Sequence, residues 1–83
     1  MKLLKFEAVW CKPCSMLTAM LGEAREFITM PIEVIDIENN NDMVIKYGIR
    51  SVPTMVVVDD DGEVLKRRSG LLSTEDLIEF LKA

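Results

Sequence analysis

The sequence predicts an α/β fold with the element order β-α-β-α-β-β-α, and three observations predict it. Two β-branched runs, at residues 32–37 and 54–58, read as strands. Apolar residues recur at three- and four-residue spacing after residue 15 and again near the C-terminus, as in helices that face a core. Pro31, Gly48, Pro53, Gly62 and Gly70 each interrupt a patterned stretch and so mark the joints. At 83 residues the chain is expected to form one domain over residues 1–83, because a length this short does not supply two cores.

The first strand is the run Leu3, Leu4, Phe6, Ala8 and Val9, largely buried, with Lys5 and Glu7 let into it. It leads into Trp10-Cys11-Lys12-Pro13-Cys14. Beyond the second cysteine, Met16, Leu17, Met20, Leu21, Ala24, Phe27 and Ile28 make one face of an amphipathic helix, which Pro31 ends. Pro13 suits only the first turn of that helix, where the N–H it lacks has no intrahelical partner. The helix therefore begins at the cysteine pair. Residues 32–37 give the second strand, and Asn39, Asn40 and Asn41 offer side-chain oxygens for a turn and an N-cap.

A short helix over residues 42–47 runs out at Gly48, and residues 49–53 are extended because a residue before proline avoids the α region. Residues 54–58 form the third strand and 59–62 a turn. Residues 63–68 form an edge strand, whose Lys66, Arg67 and Arg68 discourage pairing with other chains. After Gly70, Ser73 or Thr74 caps the last helix, Glu75 and Asp76 suit its positive end, and Leu77, Ile78, Phe80 and Leu81 form its buried stripe. A right-handed β-α-β unit opens the fold and an antiparallel hairpin closes it. The third strand is expected to run parallel to the first two unless its connection reverses it.

With 49% hydrophobic and 29% charged residues the chain is a packed globule rather than a disordered segment. Ten basic against fourteen acidic residues leave a net charge of -4, which repels phosphate polymers and anionic lipid, so neither nucleic acid nor membrane is an expected partner. No long apolar run occurs, and Lys5 and Glu7 interrupt any signal-peptide core, so the expected location is cytoplasmic. The chain has no histidine and two cysteines, which removes Ser/His and Cys/His dyads and any four-ligand zinc site built from these residues alone. The chemistry left is that of sulfur.

Cys11 and Cys14 sit three apart at a helix start, where Cα atoms fall in the window of about 4.4 to 6.8 Å that a disulfide needs. With Cys11 at the N-cap, its sulfur meets the free N–H groups of the first turn, which stabilise negative charge. The thiolate is the attacking species, and redox Cys-X-X-Cys motifs bring a thiol pKa of about 8.5 down to roughly 3.5 to 7.5. Cys14, a turn further in, is placed to resolve a mixed disulfide. Two other readings of the pair stand beside this one. A purely structural disulfide would close so short a loop that it constrains the unfolded chain little, and a half metal site is poorly served by Pro13 between the sulfurs.

Three motifs, Trp10-Cys11-Lys12-Pro13-Cys14, Tyr47-Gly48-Ile49-Arg50-Ser51-Val52-Pro53-Thr54, and Gly70 ahead of the last helix, come in the order found in the thioredoxin family. The chain resembles that family over nearly its whole length. It looks like a minimal, glutaredoxin-sized form that begins at the strand before the cysteines, without the usual preceding strand and helix.

The resemblance implies a thioredoxin-like fold, with a four-stranded mixed sheet flanked by helices and a cis peptide before Pro53. It implies a thiol-disulfide oxidoreductase that reduces protein disulfides and uses no cofactor beyond a redox-active Cys11–Cys14 disulfide. By position, Cys11 is the nucleophile and Cys14 the resolving cysteine. Trp10, Lys12, Pro13, Val52, Pro53 and Gly70 form the substrate surface, with the Val52 backbone pairing to a substrate strand. Disulfide-containing proteins and a thioredoxin reductase are the implied partners, and the protein is expected to be a monomer. A glutaredoxin-like enzyme fed by glutathione and a non-catalytic binding subunit are the rival functions.

Two positions depart from the family pattern. Lys5 stands where thioredoxins usually carry a buried Asp, and Glu7 follows on the same strand face; either the two pair and tune the thiol pKa in place of the missing acid, or both face solvent. Lys12 replaces the usual glycine and puts a cation about 6 to 8 Å from the Cys11 sulfur. By favouring the thiolate it tunes the site towards a potential more oxidising than the thioredoxin value of about -270 mV.

Overall fold

Strands β1 (Lys2–Glu7) and β3 (Thr54–Val58) form the middle of a four-stranded mixed sheet, with β2 (Ile32–Asp36) outside β1 and β4 (Val64–Ser69) outside β3. The computed structural model describes residues 1–82. Helix α1 (Lys12–Glu23) joins β1 to β2, helix α2 (Asn41–Tyr47) follows β2, and helix α3 (Thr74–Leu81) follows β4.

β1 runs parallel to β2 and antiparallel to β3, and β3 and β4 form the antiparallel hairpin. The third strand is thus reversed relative to the first two. A seven-residue helix such as α2 spans only about 10 Å. The extended residues after Gly48 then bring the chain back to the end of the sheet it had just left, so β3 must run down from there. Gly48 makes this exit possible at φ 64, a left-handed backbone that glycine adopts without a Cβ clash.

Two clusters of buried side chains hold the layers. On one face Leu3, Met55 and Val57 pack under Leu17 and Leu21 of α1 and Leu77 and Leu81 of α3. On the other, Leu4, Phe6, Ile35, Val56 and Val58 pack against Tyr47 and Ile49 at the end of α2. The alternation along β1 follows from the period of two in a strand, and β3 is buried throughout because both of its faces are covered.

Several boundaries differ from those the periodicity suggests. β1 ends at Glu7, and Val9 lies exposed in the turn that follows. The first helix stops at Glu23, with a 3-10 turn over Arg25–Phe27 carrying the chain on, so Phe27 is exposed. Met16 is 51% exposed: the inner stripe of α1 is Cys14, Leu17 and Leu21, continued by Ala24 at the C-cap, and Met16 lies about 100° round the helix from Leu17. Asn40 occupies the N-cap of α2 without a side-chain cap bond, because its Nδ2 donates to the Asp36 carbonyl at 3.0 Å.

The register decides where the functional motifs go. Phe6 pairs with Thr54, and Thr54 with Ser69. The chain leaving β1 towards the cysteines, the chain entering β3 from Pro53, and the chain leaving β4 at Gly70 therefore meet at one end of the sheet.

Candidate active site

Cys11 is the N-cap of α1, with extended backbone (φ -90, ψ 104), and its Sγ accepts the N–H of Cys14 at 3.1 Å. The turn that delivers it is closed by the Cys11 N–H donating to the Ala8 carbonyl at 3.1 Å. Cys11 and Cys14 form a disulfide, with Cα atoms 5.3 Å apart. Pro13 lies in the first turn, where no intrahelical partner is lost. Both cysteines are nearly buried, at 5% and 2% exposure, so depth alone barely separates them. What separates them is the N–H directed at the Cys11 sulfur.

Lys12 and Pro13 are exposed beside the pair. Trp10 is 66% exposed and lines a cavity of about 160 Å³ together with Ile37, Val44, Ile49, Arg50, Ser51 and Val52. Val52 also packs against Ala8, Cys11 and Cys14. The Val52-Pro53 peptide is cis, and Pro53 is buried. The Gly70 N–H donates to the Pro53 carbonyl at 2.8 Å, tying these two motifs at the sheet end, and the Thr54 hydroxyl donates to the Ser51 carbonyl at 2.7 Å within the Pro53 motif. The cysteine motif joins them through the packing of Val52. Gly70 itself has φ 81, in the left-handed region where a side chain would be strained.

Lys5 does not face solvent. It is 2% exposed, and its ammonium donates to the Glu7 carboxylate and to the Thr18 hydroxyl at 2.7 Å. Thr18 in turn donates to the Cys14 carbonyl at 3.1 Å. The Lys5–Glu7 pair is therefore formed, and the reading in which both charges point outwards gives way. Sequence reasoning missed Thr18, although its place four residues after Cys14, one turn on along the helix, was a usable signal. It also missed Ile37, Val44 and Ile49, which only the tertiary fold brings to Trp10.

Among the described residues no group of three or more Cys, Asp or Glu side chains gathers as a metal site, and no helix is long and apolar enough to cross a membrane. The chemistry the arrangement supports is exchange at sulfur.

Comparison with known proteins gives a consistent result. The family model described as Thioredoxin matches residues 1–83. A thioredoxin of Rickettsia bellii is 37% identical over 81 residues, which is 95% of this chain and 76% of that protein. A thioredoxin of Pseudomonas aeruginosa is 35% identical over 83 residues, covering 98% of this chain and 76% of that one. Among solved structures, a mutant thioredoxin from Halobacterium salinarum superposes with a TM-score of 0.84 at 32% identity, over 96% of this chain and 70% of its own. With the family model spanning the chain, relatives above 30% identity, the same sheet and a Cys-X-X-Cys disulfide at a helix start, the protein belongs to the thioredoxin family of thiol-disulfide oxidoreductases.

Proposed function

We propose that this protein reduces disulfides in other proteins, with Cys11 as the attacking sulfur and Cys14 as the resolving one. The observation that supports this division is the Cys14 N–H held 3.1 Å from Cys11 Sγ at the N-cap of α1. In the reduced state that donor and the other free N–H groups of the first turn favour the Cys11 thiolate. The thiolate attacks one sulfur of a substrate disulfide, and the other sulfur leaves as a thiolate that takes a proton from water. Cys14 then gives up its proton and attacks Cys11 Sγ, which forms the intramolecular disulfide and releases the second substrate thiol. Two electrons pass to the substrate.

Trp10, Lys12, Pro13, Val52, Pro53 and Gly70 form the surface on which the substrate lies, Lys12 favours the Cys11 thiolate, and the Lys5–Glu7 pair acts on the Cys14 side of the site. Residues 1–83 act as one domain, a cytoplasmic monomer that needs no metal or organic cofactor, engages neither nucleic acid nor membrane, and is recharged by a thioredoxin reductase.

The test is turnover on a protein disulfide, followed through NADPH oxidation with thioredoxin reductase. Wild type turns over, and Cys11→Ser and Cys14→Ser do not. Cys14→Ser instead accumulates a substrate joined to Cys11, released by a small thiol. Turnover with glutathione and its reductase alone would move the protein to the glutathione-dependent reading, and activity that survives Cys11→Ser would sink the assignment.

A further inference from the structure

Among the described residues Lys5 is the only charged side chain that is buried. Burying an ammonium is costly, and replacing a buried ion by an apolar side chain of similar size is often neutral or stabilising. Stability therefore gives no reason for a lysine at this place, and its contacts supply another.

A lysine ammonium only donates hydrogen bonds. Because Lys5 donates to Thr18 Oγ1, the Thr18 proton is left to point elsewhere, and it points at the Cys14 carbonyl. Cys14 is thus held at both ends of its backbone: its N–H on Cys11 Sγ and its C=O under the Thr18 hydroxyl. The far end of this strut is fixed in the middle of the sheet, since Lys5 pairs with Val34 on one side and Met55 on the other, and Glu7 anchors the ammonium.

We infer that Lys5, acting through Thr18, is a positioning residue for Cys14 that fixes the resolving cysteine against the sheet for its attack on Cys11. This rests on the assignment of Cys11 as attacking and Cys14 as resolving sulfur, and concerns only the second step. The first step depends on the N–H donors at the opposite end of the turn.

The two steps separate when the reduced protein is mixed with dithiobis(nitrobenzoate). Cys11 thiolate attacks this aromatic disulfide and releases one coloured thiolate at a rate that depends on reagent concentration. Cys14 then loses its proton to solvent, attacks Cys11 Sγ and releases a second coloured thiolate at a rate independent of it. In Lys5→Met and Thr18→Val the second phase slows by about fivefold, the effect of losing one net hydrogen bond, while the first stays within about twofold. Thr18→Ser, which keeps the hydroxyl, restores the second phase. The double variant is no slower than either single one, since both cut the same strut.

A second phase within about twofold of wild type in Thr18→Val overturns the inference, as does equal slowing of both phases. Slowing in Lys5→Met but not in Thr18→Val also overturns it, because the lysine would then act by another route. If Lys5→Met does not fold, the Val and Ser variants at Thr18 decide the matter alone. The reagent concentration is raised until the second release is the slower. A wild-type protein that releases one coloured thiolate rather than two would count against the parent assignment of the two sulfurs, a result distinct from any of these.

Discussion

The cysteine pair was legible in the sequence because everything that places it is local. A proline between two cysteines, after a strand and before an apolar stripe, leaves the helix start as the position that suits all three. Thr18 and the walls of the Trp10 cavity were not legible, since they depend on which strand lies beside which. Lys12 is a residue whose effect can be read from position alone. It is exposed at the first helical position, next to Cys11, and no ion pair to it is formed among the described residues. A free cation there favours the thiolate, hence the reduced state, although solvent screens much of its field. Lys12→Gly is expected to lower the reduction potential by roughly 10 to 20 mV, the equivalent of about 0.5 to 1 kcal/mol. Equilibration with a glutathione redox buffer measures it, and an unchanged or higher potential contradicts the assignment of Lys12 as a tuning residue.

At the scale of elements, capping and turn chemistry predicted the ends of helices better than hydrophobic periodicity did. The apolar spacing after residue 15 suggests a helix as far as Ile28, but the chain tightens at Ala24 into a 3-10 turn and leaves Phe27 outside the core. By contrast α3 starts where its cap dictates: Ser73 is the N-cap, its Oγ accepting the Asp76 N–H at 3.1 Å, with Glu75 and Asp76 facing the positive end. Ser73→Ala is expected to cost about 1 kcal/mol, seen as a lower urea midpoint at unchanged slope, while Ser73→Asp should hold the wild-type value. Loss in both variants would mean that the hydroxyl matters for something other than the cap. The β1–β2 edge carries a smaller, pH-dependent link. The Glu33 carboxylate accepts a hydrogen bond from Lys2 and raises its ammonium above the ordinary lysine value. That contribution is complete below the ordinary value and fades as pH rises through the raised one. Both side chains are half exposed, so salt weakens it.

At the scale of the whole molecule, order and type of elements follow from the sequence, whereas strand direction does not. The reversal of β3 depends on how far a short helix carries the chain, a property of lengths in space rather than of any residue pattern. That reversal is what brings Pro53 opposite the cysteines, so the site depends on the sheet's register, and the register depends on two thin layers of packing. Leu77 tests this dependence. It is fully buried on α3, in the cluster with Leu3, Leu17 and Met55, and belongs to no part of the redox site. A buried leucine cut to alanine costs about 2 to 5 kcal/mol, and a domain of this size holds only about 4 to 12 kcal/mol in total. Leu77→Ala should therefore lose about a sixth of the folding free energy at the least, with a lower urea midpoint and an unchanged slope. Well below that midpoint its reaction with a disulfide reagent should match wild type, because β1, β3 and the turn that carries Cys11 keep their register. A variant that stays folded yet reacts much more slowly would show that α3 helps to shape the site itself rather than merely closing the core beneath it.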